Sequence, residues 1–403
     1  MFDSFAMQLQ NCSMWINRCH EDTIKRLFSQ FPAVVITGAR QTGKTSLVRK
    51  VFPDITYRSF DLPAEAALAE HSPEAFFKRH GLPLVLDEVQ YVPGIFRHLK
   101  VLIDSQKRPG LLLLTGSQVF PLMQGVSESL AGRCAFLDLY TLSAAEVAAA
   151  FGDKYDSLEL LFRGGFPELQ ARPELDRQAW YAAYLAAYLE RDLRNLASVG
   201  SLRDFERFLH AAAARTGSIL SYSDLARDVG IAPNTARRWM SMLQASGQVL
   251  LLEPYFRNVG KRLVKSPKLY LCDTGLAAFL LGFESSRALA GSLQVGALWE
   301  SLCVMEVVKV LSSRGRRPPV WFWRTASGDE VDLVLERDGR FVLMECKFAE
   351  MVGEAELKGI HRFRDHYGAS SVAAAYVVCR TRQSYPLGRE AVAVPLEQLA
   401  GIL

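Results

Sequence analysis

Residues 38–45 read Gly-Ala-Arg-Gln-Thr-Gly-Lys-Thr, a complete G-x-x-x-x-G-K-[ST] motif. The apolar, β-branched run Ala33–Thr37 before it reads as a buried strand, and Thr45–Val51 reads as the start of a helix. A strand that breaks at glycine and resumes as a helix severely restricts the fold. The glycines let the backbone curl so that its N–H groups face phosphate oxygens, and the helix adds its positive N-terminal end. Gly38, Ala39, Arg40, Gln41, Thr42, Gly43, Lys44, Thr45 and Ser46 are therefore candidate nucleotide-binding residues. Lys44 is expected to reach the β- and γ-phosphates and the Thr45 hydroxyl to hold Mg²⁺, so ATP and Mg²⁺ are the implied cofactors.

A second element supports the first. Pro83–Leu86 is an apolar strand that ends in Asp87 and Glu88, one strand (Ile55–Asp61) after the loop. Asp87 is a candidate Mg²⁺ ligand, and Glu88 a candidate base that polarises an attacking water. A third strand, Leu111–Thr115, leaves its sheet through Gly116, Ser117 and Gln118, and either of the last two can orient that water. Arg133 precedes a further strand, Cys134–Tyr140. It reads either as an arginine finger reaching a neighbouring subunit's γ-phosphate, which implies a homo-oligomer, or as a surface salt bridge.

With Ser129-Leu-Ala-Gly-Arg133 added, these motifs resemble the prokaryotic AAA-type ATPases that carry a restriction-endonuclease-like C-terminal domain. Gly164-Gly-Phe-Pro167-Glu168 resembles the family's lid motif, and Tyr188-Leu-Glu190-Arg191-Asp192 resembles the helix after it. The resemblance spans about residues 20 to 390. It implies that Pro167 lies near the nucleotide and that subunits form a ring, such as a hexamer.

Ser221–Gly230 reads as a capped helix ending at glycine, Ile231-Ala-Pro233 as a turn, and Asn234–Ala245 as a second amphipathic helix. Strands Gly247–Leu252 and Leu269–Cys272 follow. Together these read as a winged helix-turn-helix. Asn234, Thr235, Arg237 and Arg238 start the second helix and are candidate DNA contacts, joined by Lys261 and Arg262 of the acid-free stretch Tyr255–Lys268. The same element also serves elsewhere as a protein–protein module. Lys268 falls in Lys265-Ser-Pro-Lys268-Leu-Tyr, which resembles a family motif and suggests an internal role.

In the last third, the apolar helix Val295–Val310 carries Glu300 and Glu306, and strands follow at Val320–Arg324, Glu330–Glu336 and Phe341–Lys347. An acid on a helix, Asp332 on a strand and Glu345-Cys-Lys347 on the next form the PD-(D/E)xK layout. Glu345 and Lys347, two apart on a strand, share a face. Glu300, Asp332 and Glu345 are candidate metal ligands, and Lys347 would neutralise charge on a phosphate. The alternative is a retained fold whose acids form salt bridges. Lys309, Arg314, Arg316, Arg317 and Arg324 make a second basic stretch, suited to a DNA backbone or to a solvated loop.

Lys and Arg number 47 against 43 Asp and Glu, so any nucleic-acid surface must be local. No apolar run nears the ~20 residues of a membrane helix. Met1–Asn11 lacks a signal-peptide pattern, and seven scattered Cys without C-x-x-C fit a reducing cytoplasm. The seven His are isolated, Trp321-Phe322-Trp323 reads as core, and Cys346 should be buried.

The expected fold is α/β: a P-loop ATPase core at 1–141, a helical lid at 142–205, a winged helix at 206–285 and a restriction-endonuclease-like domain at 286–403. The expected function is a Mg²⁺-dependent ATPase, an oligomeric motor or switch on branched or single-stranded DNA. An ATP-gated metal-dependent nuclease and an ATPase that switches binding of a protein partner are the alternatives.

Overall fold

The computed structural model describes residues 14–117, 130–188, 202–255, 266–316 and 319–403. The first sheet holds β1 (Ala33–Thr37), β2 (Thr56–Ser59), β3 (Leu84–Asp87), β4 (Leu112–Gly116) and β5 (Cys134–Asp138). Its order is β2-β3-β4-β1-β5, all parallel. Parallel strands are covered on both faces and so are apolar throughout, which is why β1, β3 and β4 are uninterrupted runs of buried residues. Alternate residues serve opposite faces. Val34, Ile36, Val85 and Leu113 meet helices Glu21–Gln30 and Lys44–Val51, while Val35, Leu86, Leu112 and Leu114 meet Ile95–Gln106. The parallel arrangement brings the carboxyl ends of β1, β3 and β4 to one edge, where ligands of such sheets bind. The strand expectations in this region hold to within a few residues.

Helices Ala144–Phe151, Ser157–Arg163, Pro167–Ala171, Arg177–Tyr188 and Leu202–Ala213 follow. Ser143 starts the first of them through a reciprocal capping box with Glu146. A small antiparallel sheet comes next: β6 (Ser218–Ile219), β7 (Val249–Leu252) and β8 (Lys268–Leu271), in the order β6-β8-β7. Helices Tyr222–Val229 and Pro233–Ala245 lie between β6 and β7, joined at Gly230, whose φ of 83° is left-handed as a glycine cap requires.

The third sheet comprises β9 (Val320–Arg324), β10 (Glu330–Arg337), β11 (Arg340–Cys346), β12 (Val372–Cys379), β13 (Tyr385–Leu387) and β14 (Ala391–Pro395), in the order β13-β14-β12-β11-β10-β9. β9, β10 and β11 are antiparallel, whereas β11, β12 and β14 are parallel. Helix Val295–Ser313 covers one face through Leu298, Leu302 and Cys303, and helix Lys358–Tyr367 covers the other through Ile360 and Phe363.

Residues 286–295, read as a boundary, hold helix Ser286–Ala290. Its Leu289 is buried in a core that runs without a break from Leu142 to Leu399. The two later sheets are also stitched together, because Tyr255 N donates to Phe322 O at 2.7 Å and Phe322 N to Glu253 O at 3.2 Å. Among the described residues, no helix is long and apolar enough to cross a membrane.

Candidate functional site

At the end of β1 the chain turns tightly. Gly38 has φ +152°, and a Cβ there would collide with the Leu139 carbonyl. Gly43, at φ +91°, caps helix Lys44–Val51. Lys44 is buried and its Nζ donates to Gly38 O (2.9 Å) and Ala39 O (2.8 Å) within its own loop. Thr42 Oγ1 also donates to Ala39 O (2.9 Å).

The Thr45 hydroxyl meets Asp87 directly, 2.9 Å from Oδ2 and 3.2 Å from Oδ1. Asp87 is buried and also accepts hydrogen bonds from Tyr57 Oη (2.5 Å) and Thr115 Oγ1. Burial, then this bond to Asp87, push the Tyr57 phenol upward. Glu88 follows in a left-handed conformation, φ +55°, unusual for a residue with a Cβ. Its carboxylate accepts from Ser117 Oγ (3.0 Å) and from Gln90 Nε2. Sequence motifs 27 or more residues apart thus converge on one sheet edge. Gln118 lies outside the described residues.

Residues without a sequence signal complete the setting. Arg18, before the first helix, is buried and donates to Thr42 O (2.8 Å) and Tyr140 O (2.7 Å), and it pairs with buried Glu146 (3.2 Å). Pro167 sits where resemblance places it: a Cβ on Gly43 would lie 3.7 Å from both Pro167 Cγ and Arg18 Nη1. Asp273 holds the turn before Pro167, accepting from Gly165 N (2.8 Å) and Tyr181 Oη (2.9 Å). Arg133 stands at the amino end of β5, the opposite edge of the sheet from the loop, in a bidentate pair with Asp104 (2.6 and 3.0 Å).

Asn234, Arg237 and Arg238 are exposed on the first turns of helix Pro233–Ala245, with Thr235 half-buried. The Arg237 guanidinium lies 5.2 Å from the Tyr222 ring centre. The turn that ends this helix reaches the nucleotide loop, since a Cβ on Gly247 would lie 3.3 Å from Ala39 N. Lys261 and Arg262 lie outside the described residues, as does Arg317. Lys309, read as part of a basic stretch, is instead buried, its Nζ donating to Leu142 O (2.8 Å). One turn earlier, Glu306 accepts from Ala144 N (2.7 Å). Arg324 pairs with Glu330 (2.7 Å), whereas Arg314 and Arg316 are exposed.

Glu300, Asp332 and Glu345 do come together, but Glu300 and Asp332 face a lysine that the motif does not contain, while Glu345 lies beside Asp332 and Lys347. Lys268 Nζ lies 2.7 Å from Glu300 Oε1 and 3.9 Å from Asp332 Oδ1, and it pairs with Glu330. Tyr270 Oη donates to the same Glu300 oxygen (2.6 Å), and Cys346 N to Asp332 Oδ2 (2.9 Å). Lys347 Nζ sits 3.2 Å from Glu345 Oε2, as their shared face predicts. Burial, then the charge on Asp332, push Glu345 up to about 9 and Glu300 up to about 7. Burial opposes the charge on Lys268, but Glu300, Asp332 and Glu330 outweigh it and hold the ammonium above the ordinary lysine value. Among the described residues no group of three acids, cysteines or histidines is arranged to hold a metal ion. With an ammonium between its carboxylates, the cluster does not fit a divalent ion.

The AAA domain family matches residues 30–148. Two domains of unknown function, DUF8612 and DUF4143, match residues 155–287 and 295–399. An uncharacterized protein of Mycobacterium tuberculosis is 32% identical over 393 residues, covering 96% of this chain and 86% of the relative. An uncharacterized protein of Mycobacterium bovis matches to the same extent. The chain belongs to this family of AAA-type ATPases. Among solved structures, the ATPase aligns with the Walker-type ATPase of Pyrococcus abyssi at 15% identity, covering 66% of this chain and 96% of that one, with a TM-score of 0.43. It aligns with the RuvB Holliday junction branch migration motor of Thermotoga maritima at 16% identity, covering 59% and 90%, with a TM-score of 0.31.

The loop of the ATPase fits a nucleotide with Mg²⁺. Gly38 lets the loop turn tightly against the Leu139 carbonyl, and the Thr45–Asp87 pair offers a hydroxyl and a carboxylate, the oxygen donors that Mg²⁺ selects.

Proposed function

We propose that this ATPase is a nucleotide-driven switch on DNA, in which the state of the P-loop is passed to a winged helix-turn-helix. The observation that carries this is the close approach of Gly247, in the turn that ends the arginine-bearing helix, to Ala39 of the loop, where a Cβ on Gly247 would lie 3.3 Å from Ala39 N. The order β6, helix, helix, β7, β8 and the exposed Asn234, Arg237 and Arg238 support the winged-helix reading. The guanidinium groups suit phosphate oxygens, and Asn234 and Thr235 suit base edges or sugar. The C-terminal sheet, read as restriction-endonuclease-like, is the frame against which this segment is held; the bonds between Tyr255 and Phe322 and between Phe322 and Glu253 support that role.

At the nucleotide site, Lys44 gives up the carbonyls of Gly38 and Ala39 and turns its charge to the β- and γ-phosphates. Thr45 and Asp87 hold Mg²⁺, which when bound neutralises phosphate charge. Glu88 orients the attacking water once its carboxylate leaves Ser117 and Gln90, so the pairing seen here is the resting arrangement. Arg133 completes a neighbour's site in a ring by releasing Asp104.

The test is ATP turnover with and without single-stranded, duplex, forked and four-way-junction DNA, alongside DNA affinity with ADP and with a non-hydrolysable ATP analogue. Stimulation by DNA, with affinity that changes between nucleotides and drops in Arg237→Ala, is expected. Turnover and affinity indifferent to every DNA would reject the reading in favour of a protein partner.

A further inference from the structure

We propose that Lys268 is a resident cation that permanently takes the place of a divalent metal in the acid cluster of the C-terminal sheet, which makes that domain a fixed scaffold rather than a metal-dependent nuclease. Lys268 comes from β8, the central strand of its sheet, and its backbone is paired on both sides, to Ile219 and to Leu252. Its side chain is 4% exposed and its ammonium lies over the Phe322 ring, 5.5 Å from the centre. An ammonium is a compact charge with three donors. Here it meets Glu300 from helix Val295–Ser313 and Glu330 from β10, with Asp332 next along the same face.

Part of the oxygen set that a metal would need is already served by the chain, while Glu345 Oε1 is buried without a hydrogen-bond partner. Glu300 Oε1 accepts from Lys268 and Tyr270, Asp332 Oδ2 from Cys346 N, and Glu345 Oε2 from Lys347. The remaining Glu345 oxygen lies against Gly359 of helix Lys358–Tyr367, close enough that a Cβ at that position would collide with it. Mg²⁺ demands near-octahedral oxygen at about 2.0–2.1 Å and keeps several waters, so it would have to displace the Lys268 ammonium from beside Glu300 and Asp332. Each of these acids already faces a cationic side chain: Lys268 beside Glu300, Glu330 and Asp332, Lys347 beside Glu345 and Arg324 beside Glu330. Two ladders fix the backbone of Lys268, and Glu300 and Glu330 hold its ammonium, so the replacement is expected in every nucleotide state.

Mn²⁺ binding to the full chain, followed by electron paramagnetic resonance, tests this with wild type, Asp332→Asn, Lys268→Met and the double variant. Expected are equal occupancies for wild type and D332N, with and without a non-hydrolysable ATP analogue. K268M should gain one Mn²⁺ that the double variant loses. Occupancy in wild type that D332N abolishes, in either nucleotide state, would overturn the proposal. A cooperatively melting K268M that gains nothing would do the same. If K268M does not fold, the comparison of wild type with D332N decides alone. Mg²⁺-dependent DNA cutting by wild type that D332N abolishes would also reject it, whatever DNA does to ATP turnover.

Discussion

Gly247 faces Ala39 so closely that a Cβ on Gly247 would lie 3.3 Å from Ala39 N and 3.6 Å from Ala39 Cβ, so the turn that ends one exposed, arginine-bearing helix approaches the backbone of the nucleotide loop. Residues more than two hundred positions apart thereby line one small space. The rest of the nucleotide loop is anchored from behind by Arg18 and from the side by Pro167.

Gly247→Val should weaken ATP binding. The position has φ +70°, where a side chain costs about 1–2 kcal/mol, and a Cβ would press on Ala39 N. Titration of a fluorescent ATP analogue should show a several-fold rise in Kd, together with a lower melting temperature. Unchanged Kd would break the link between the two segments.

Glu88→Gln should retain ATP and lose hydrolysis by about 10²–10⁴-fold, the range for removing a general base. Lys44→Ala should instead lose binding, because its charge is what the loop closes around. Phosphate release and nucleotide retention on a filter separate the two, and normal turnover in E88Q would mean that another group positions the water.

Arg133→Ala should hydrolyse slowly while binding ATP normally and melting at the wild-type temperature, since its pair with Asp104 is exposed on the surface. Mixing it with Lys44→Ala subunits should restore turnover if the arginine acts across a subunit boundary. Mixed samples no more active than either parent would confine Arg133 to its surface pair.

Through Glu306, stability should be lost as pH rises from about 4.5 to 7. Burial pushes this carboxyl from 4.5 up to about 7, against the pull of Lys309 and its backbone hydrogen bonds to Ala144 and Ala145. Between those values the folded chain keeps a proton that the unfolded chain has lost, and binding more protons in the folded state makes stability decrease with pH. Glu306→Gln should flatten the fall in urea-unfolding free energy across this window. The same slope in both proteins would show that Glu306 ionises in the fold as readily as in the unfolded chain.

The first sheet was readable because a parallel strand buried on both faces is a contiguous apolar run, and its acids and glycines fall at its end. Thr45 and Asp87 lie within hydrogen-bond distance at that end, and Pro167 lies beside Gly43. Arg18 and Asp273 carried no signal, because a single charged residue that hydrogen-bonds backbone carbonyls or amides leaves no periodicity. Lys309 was misread because a basic run looks the same whether its lysine faces solvent or a buried carbonyl.

What the sequence by itself determined is the chemistry held in adjacent residues: a glycine loop with Lys44 and Thr45, acids at a strand end, and Glu345 on the same face as Lys347. Such features depend on local backbone geometry, which neighbouring residues dictate. What only the tertiary structure decided is which charges share a space. Glu300, Asp332 and Glu345 match a metal motif in order and spacing, yet Lys268 reaches Glu300 and Asp332 from a different sheet. Its arrival depends on the register of β8 between β6 and β7 and on the packing of helix Val295–Ser313, and a buried carboxylate takes whichever cation that packing brings.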